Sequence, residues 1–109
     1  MGTIGIDDFR AIDLRVATIT AAAAHPNADR LVVLTIDLGG EQRQLVAGIR
    51  AHYEPQELVG KQIVVVANLQ PATLRGVESQ GMLLAASDPD GHLAIVTPER
   101  PVPPGATVK

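Results

Sequence analysis

An all-β domain built as a small barrel is the fold class that this sequence predicts, on three observations. Short apolar, β-branched runs such as "LVVL" and "IVVVA" recur along the chain. Turn sequences rich in glycine, proline and aspartate, such as "LGGE" and "DPDG", separate them. Amphipathic stretches of helical length are scarce. With 109 residues, 46% of them hydrophobic, the chain suits one domain, residues 1–109, with a modest core.

Each element follows in order. "IDDFRAI" predicts one helical turn capped by Asp7 or Asp8. "DLRVATITAA" predicts a long first strand, and "HPNADR" a turn built on Pro26 and Asn27. "RLVVLTIDLGG" and "EQRQLVAG" form a hairpin over 31–48 that reverses at "LGGE". "RAHYEPQELVG" holds a short helix that starts near Pro55 and is closed by Gly60. "KQIVVVANLQP" is the strongest strand, ended by Pro71, and "GMLLAASD" and "HLAIVTPE" are two more. The tail "PERPVPPGATVK" holds four of the eight prolines and reads as an extended arm. A short helix between the third and fourth strands matches an OB-fold: a five-stranded barrel with short helices and an extra C-terminal strand or arm. An SH3-like barrel is the alternative.

Composition narrows the function. The absence of cysteine removes disulfides, thiolate chemistry and the common zinc motifs. The start "MGTIGIDDFR" lacks the basic and apolar regions of a signal peptide, and no apolar run is long enough to span a bilayer. A soluble, cytoplasmic protein without a membrane partner is expected. The net charge of −3, nine basic against twelve acidic residues, weighs against nucleic acid, because phosphate affinity comes from displaced counterions. Phe9 and Tyr53 are the only aromatics, too few for a platform that stacks successive bases.

Catalytic and metal motifs do not assemble. His25 and Asp29 are too few ligands for a metal, and Asn27 or Asp29 more simply bonds its own turn. Ser79 lacks the flanks of a nucleophile elbow, and "LVGKQ" is not a phosphate loop. No enzyme, cofactor or metal site is expected. The stretch "LRGVESQGMLLAA" is less ordinary: Arg75, Glu78, Ser79 and Gln80 crowd one turn before an apolar run. A positive φ at Gly76 and a capping role for Ser79 explain part of it, but not Arg75, Gln80 and Met82 together.

"DFRAIDLRVATI", "HPNADRLVVLTIDLGGEQRQLVAGI", "YEPQELVGKQIVVVANL" and "LRGVESQGMLLAA" resemble, in order and spacing, the tRNA-binding domain family. That family occurs at the C-terminus of bacterial methionyl-tRNA synthetases and as short free-standing proteins. The resemblance runs over about residues 6–109 and includes "VPPGATVK". It implies a non-catalytic OB-fold that dimerises and binds the outer corner of tRNA by shape, alone or beside an aminoacyl-tRNA synthetase. By motif position, the implied tRNA-facing residues are Arg30, Asn68, Arg75, Ser79, Gln80 and Met82. Arginines suit phosphates, Asn68, Ser79 and Gln80 suit sugar hydroxyls or base edges, and Met82 suits the face of an unstacked base. The chain ends carry Ile6, Phe9, Ile12, Val102 and Val108, the expected dimer contacts.

Relatives usually have basic residues between the proline and "LRG", where this chain has Ala72 and Thr73. Binding of about micromolar strength or weaker is therefore expected. The negative charge also suits the alternative, a chaperone-like protein-interaction module from the secretion-associated branch of the family, whose motifs match less well. A sugar-binding OB-fold has no support beyond the fold. Met1 and the fit to free-standing relatives favour a whole gene product over a piece of a synthetase.

Overall fold

The computed structural model describes residues 1–109. In chain order the elements are α1 (Ile6–Arg10), β1 (Leu14–Ala24), β2 (Val32–Asp37), β3 (Gln42–Ala47), α2 (Pro55–Leu58), β4 (Gln62–Val66), β5 (Ala72–Leu74), β6 (Val77–Ser79), β7 (Met82–Leu83), β8 (Ala85–Ser87), β9 (Leu93–Ile95) and β10 (Thr107–Val108). The main sheet runs β3-β2-β1-β4-β7, antiparallel throughout, with β10 added to β1. This is the five-strand OB barrel with an extra C-terminal strand.

One strand makes the curvature. β1 pairs with β4 through Leu14–Thr18 and with β2 through Thr18–Ala24, and its register with β2 shifts between Ile19 and Ala21. A bulge there bends the strand so that its two halves serve different sides of the barrel. The Ile19 carbonyl accepts the Gly60 N–H at 2.8 Å, and the Ile19 N–H donates to Lys61 at 2.9 Å, which ties the end of α2 to the bend. Leu58 of α2 is thereby driven wholly into the core, beside Ile19, Leu34, Ile36, Leu45 and Ile63. Eliminating water from side chains of this size stabilises by about 1.5–3 kcal/mol each.

The tail is a strap. Gln62 and Thr18 stand opposite each other in register, and the Gln62 amide grips the main chain of Val102 at both its N–H and its carbonyl. The tail then crosses the β2–β3 turn so closely that a Cβ on Gly105 would sit 2.4 Å from the Leu38 carbonyl oxygen. Only glycine fits that crossing. Beyond it, β10 pairs with β1 at Leu14 and Arg15.

Two local expectations change. Helix α1 is capped at Gly5, whose N–H donates to the Asp8 carboxylate at 3.3 Å; Asp8 reaches back to the cap and neither Asp7 nor Asp8 is the cap itself. The stretch read as a single turn is a second hairpin, β5–β6, with Leu74 opposite Val77. Its strands are three residues each and β5 is exposed throughout, so no alternation marks them in the sequence.

Barrel closure rests mainly on side chains. Between β3 and the end of β6 the Val46 N–H donates to Ser79 Oγ at 2.9 Å, and the Gln44 N–H to Gln80 Oε1 at 3.0 Å. The Gln80 N–H returns to the Gln44 carbonyl, and the Ser79 hydroxyl donates to Gly81. Ser79 is only 5% exposed. These oxygens stand in for the carbonyls of a missing strand ladder. We expect Ser79→Ala to leave the Val46 N–H buried and unpaired and to cost about 1–3 kcal/mol. Urea unfolding should show a lower midpoint at unchanged slope.

Candidate nucleic-acid interface

The β5–β6 loop has two residues, Arg75 and Gly76, with φ of 53° and 90°. Two successive positive φ values define a type I′ turn, which matches the twist of a hairpin and normally takes asparagine or glycine first. Arg75 is the only non-glycine residue with a positive φ. A residue with a Cβ in that position costs on the order of 1 kcal/mol or more. The turn sends its side chain outward and back over the "HPNADR" turn, where its guanidinium donates to the Asn27 carbonyl at 3.2 Å.

Arg30 comes from that same turn. The two side chains, with Asn27, Ala28, Asp29 and Leu31, line one open hollow of about 410 Å³. Their pairing state sets them apart. Arg10, Arg15, Arg43, Arg50 and Arg100 each lie within 4.0 Å of a carboxylate. Arg30 and Arg75 are the two arginines without such a partner. Lys61 sits 5.4 Å from the centre of the Tyr53 ring. The free guanidinium charge of the molecule is therefore gathered at one corner, with Asp29 on its rim.

A neighbouring hollow of about 390 Å³ brings His25 and Arg50 to the other side of Arg30. Neither was picked out as a binding residue from the sequence, although "HPNADR" marked the turn. His25 is 6% exposed, and both ring nitrogens bond to main-chain atoms. No three histidine, cysteine, aspartate or glutamate side chains come together as a metal would need.

The remaining residues expected on the tRNA face are spent elsewhere. Ser79 is sealed in the barrel wall, and the Gln80 carbonyl group of the side chain is used on β3, leaving its amide nitrogen. Asn68 accepts the Asp13 N–H at 2.8 Å and donates to the Ala11 carbonyl at 2.7 Å, clamping the approach to β1 against the end of β4. Met82 is 47% exposed but stands in a row with Val66, Leu14 and Val108, opposite one another across β7, β4, β1 and β10. Residues opposite one another share a face, so this row is an apolar stripe. Phe9, Ile12, Leu14 and Val108 line a hollow at its end, and Ile6 lies exposed on α1. Val102 is elsewhere, held by Gln62 at the far end of β4.

A hollow of about 630 Å³ lies apart from all of these, between His52–Tyr53 and the β8–β9 hairpin. Its charged groups close a turn: Asp88 accepts the N–H groups of Asp90 and His92 at 3.0 Å and the His92 ring at 2.8 Å. The His92 N–H above all holds the Asp88 carboxyl below its ordinary range.

An OB barrel with two unpaired arginines on one corner presents the kind of surface that nucleic-acid-binding modules use. The comparisons with known proteins specify it. Residues 14–107 match the family model described as "Putative tRNA binding domain". The chain is 54% identical over 108 residues to the methionine–tRNA ligase of Deinococcus radiodurans, which covers 99% of this chain and 16% of the ligase. The MetRS-related protein of Pyrococcus horikoshii superposes with a TM-score of 0.94 at 36% identity, each chain covered completely. The chaperone CsaA of Bacillus anthracis superposes with a TM-score of 0.90 at 30% identity, over 99% of this chain and 100% of that one. The chain belongs to the tRNA-binding domain family. It spans about a sixth of the length of the ligases it matches.

The strain at Arg75 gives a test of what that residue is for. We expect Arg75→Asn, which suits the turn, to stabilise the domain by about 0.5–1 kcal/mol while weakening its hold on tRNA. Thermal unfolding and a tRNA titration of the same variant check both halves.

Proposed function

We propose that this domain binds tRNA without catalysing a reaction, recognising folded shape through the Arg30–Arg75 corner in the cytoplasm. The observation that carries the reading is the gathering of the two unpaired arginines on one hollow in a chain that is otherwise acidic. Two guanidinium forks at that corner suit two backbone phosphates of a folded RNA. The Gln80 amide nitrogen is a further donor to sugar or base, and Met82 an apolar surface. Ser79 and Asn68 contribute by holding the hairpin and the β1 approach in place. The small number of free cations supports weak, salt-sensitive binding.

A homodimer fits this reading. The Val108–Leu14–Val66–Met82 stripe and Ile12, 43% exposed, form a continuous apolar face in which a two-fold pairing would double the arginine corners. Phe9 lines the hollow at the end of that face with Ile12, Leu14 and Val108; Ile6, exposed on α1, would extend it, whereas Val102, held by Gln62, lies apart from it. Association with an aminoacyl-tRNA synthetase is supported by the identity to methionine–tRNA ligases, of which the matching stretch makes up 16%. The likeness to the chaperone CsaA supports a second reading, a protein-binding module; binding partners that survive nuclease and high salt would favour it.

The decisive measurement is a tRNA titration over a range of salt. Arg30→Ala with Arg75→Ala should flatten the log-affinity against log-salt slope by about two units per chain. A slope equal to wild type would remove the corner from the binding face. In sedimentation, wild type at micromolar concentration should run as a dimer and Ile12→Asp as a monomer, since a charge on the apolar face goes undesolvated only when the face is free.

A further inference from the structure

We propose that His25 is a positioning residue for Arg75, a strut that fixes the β5–β6 hairpin tip over the "HPNADR" turn. The role rests on the tRNA-binding reading and deepens it. His25 follows the end of the first strand and is nearly buried, and both of its ring nitrogens are bonded to main-chain groups. Its Nδ1 accepts the Asn27 N–H at 2.9 Å, so the ring proton lies on Nε2, which donates to the Leu74 carbonyl at 2.9 Å. Leu74 directly precedes Arg75. Asn27, whose N–H the ring holds, accepts the Arg75 guanidinium through its carbonyl.

A closed circuit results: ring to Leu74, Leu74 to Arg75 along the chain, Arg75 to Asn27, and Asn27 back to the ring. Few other bonds restrain the hairpin tip, since Leu74 and Val77 end its short ladder and β5 is exposed. The charged groups around the ring are Asp29 and Arg30 of its own turn, Arg50 from the segment after β3, and Arg75 itself. Binding a phosphate rigidly requires that its guanidinium be held before the RNA arrives, and freedom at the tip would spend that contact on ordering. The bond to Leu74 is the part that fixes the tip; the bond to Asn27 shapes the turn.

Two near-isosteric substitutions separate those bonds. The glutamine amide nitrogen reaches the place of Nε2, so His25→Gln keeps the donor to Leu74. The asparagine amide oxygen takes the place of Nδ1, so His25→Asn keeps only the acceptor for Asn27. Titrations with unmodified tRNA transcript over a salt series at pH 8 compare both with wild type, Arg75→Ala and His25→Asn/Arg75→Ala. Folding of each is followed by circular dichroism. We expect His25→Asn to weaken binding about three- to tenfold and flatten the salt slope by about one unit, the share of one phosphate. Neither change removes a charge. Added to Arg75→Ala it should do nothing more, and His25→Gln should keep the wild-type slope.

A wild-type slope for His25→Asn, a loss that adds to that of Arg75→Ala, or a glutamine variant that folds but loses the contact would each overturn the role. Those results leave the arginine corner standing. Arg75→Ala binding as wild type does would instead refute the corner, and the role of His25 with it.

Discussion

Everything at the Arg30–Arg75 corner depends on how the barrel is closed. An antiparallel sheet that curls back on itself must satisfy the N–H groups of its first edge, and here the strand that would do so is interrupted by a hairpin. Ser79 Oγ and Gln80 Oε1 accept the Val46 and Gln44 N–H groups in its place. The alternative, buried amides without partners, costs about 1–3 kcal/mol apiece. Because closure occurs at the root of β6, the hairpin before it is anchored at one end and projects at the other. Its tip is Arg75. The same two residues that seal the wall therefore decide where the guanidinium stands.

The second constraint is electrostatic. A chain with net charge −3 repels a polyanion at long range, so affinity must come from local arrangement. Most arginines are neutralised within their own segments, as Arg43 is by Glu41 at 2.8 Å and Arg50 by Glu54 at 3.1 Å. Arg43 is also committed to the main chain, donating to the carbonyls of Ala67 and Gln80. Leaving Arg30 and Arg75 unpaired on one hollow gathers the unneutralised guanidinium charge there. The left-handed backbone at Arg75 is the conformational cost of that concentration, since asparagine or glycine would fill the turn without strain.

The chain ends answer a separate need. β10 lies on β1 at Leu14, in line with Val66 and Met82, so the termini of the chain build one apolar stripe. The strap that delivers β10 is held at Gln62 and squeezed past Leu38 at Gly105. Asn68 clamps the other terminus by bonding Ala11 and Asp13. Prolines in the tail suit this route, because an extended segment crossing a sheet has no ladder to supply with N–H groups.

The sequence by itself determined the all-β class, the 31–48 hairpin, the short helix at Pro55, the extended tail and the family motifs. Each of these is a short-range pattern: alternation, turn chemistry, or a missing proline N–H. The β5–β6 hairpin escaped because three-residue strands, exposed on one side, carry no alternation. Tertiary structure alone decided which polar side chains of "LRGVESQGM" and "HPNADR" are free. Ser79 meets Val46 33 residues away, His25 meets Leu74 49 away, and Asn68 meets Asp13 55 away. Serine, asparagine and histidine look the same in a sequence whether they face solvent or a buried amide. Only folding brings those distant main-chain groups to them, and so shows Arg30 and Arg75 as the arginines left without a carboxylate partner.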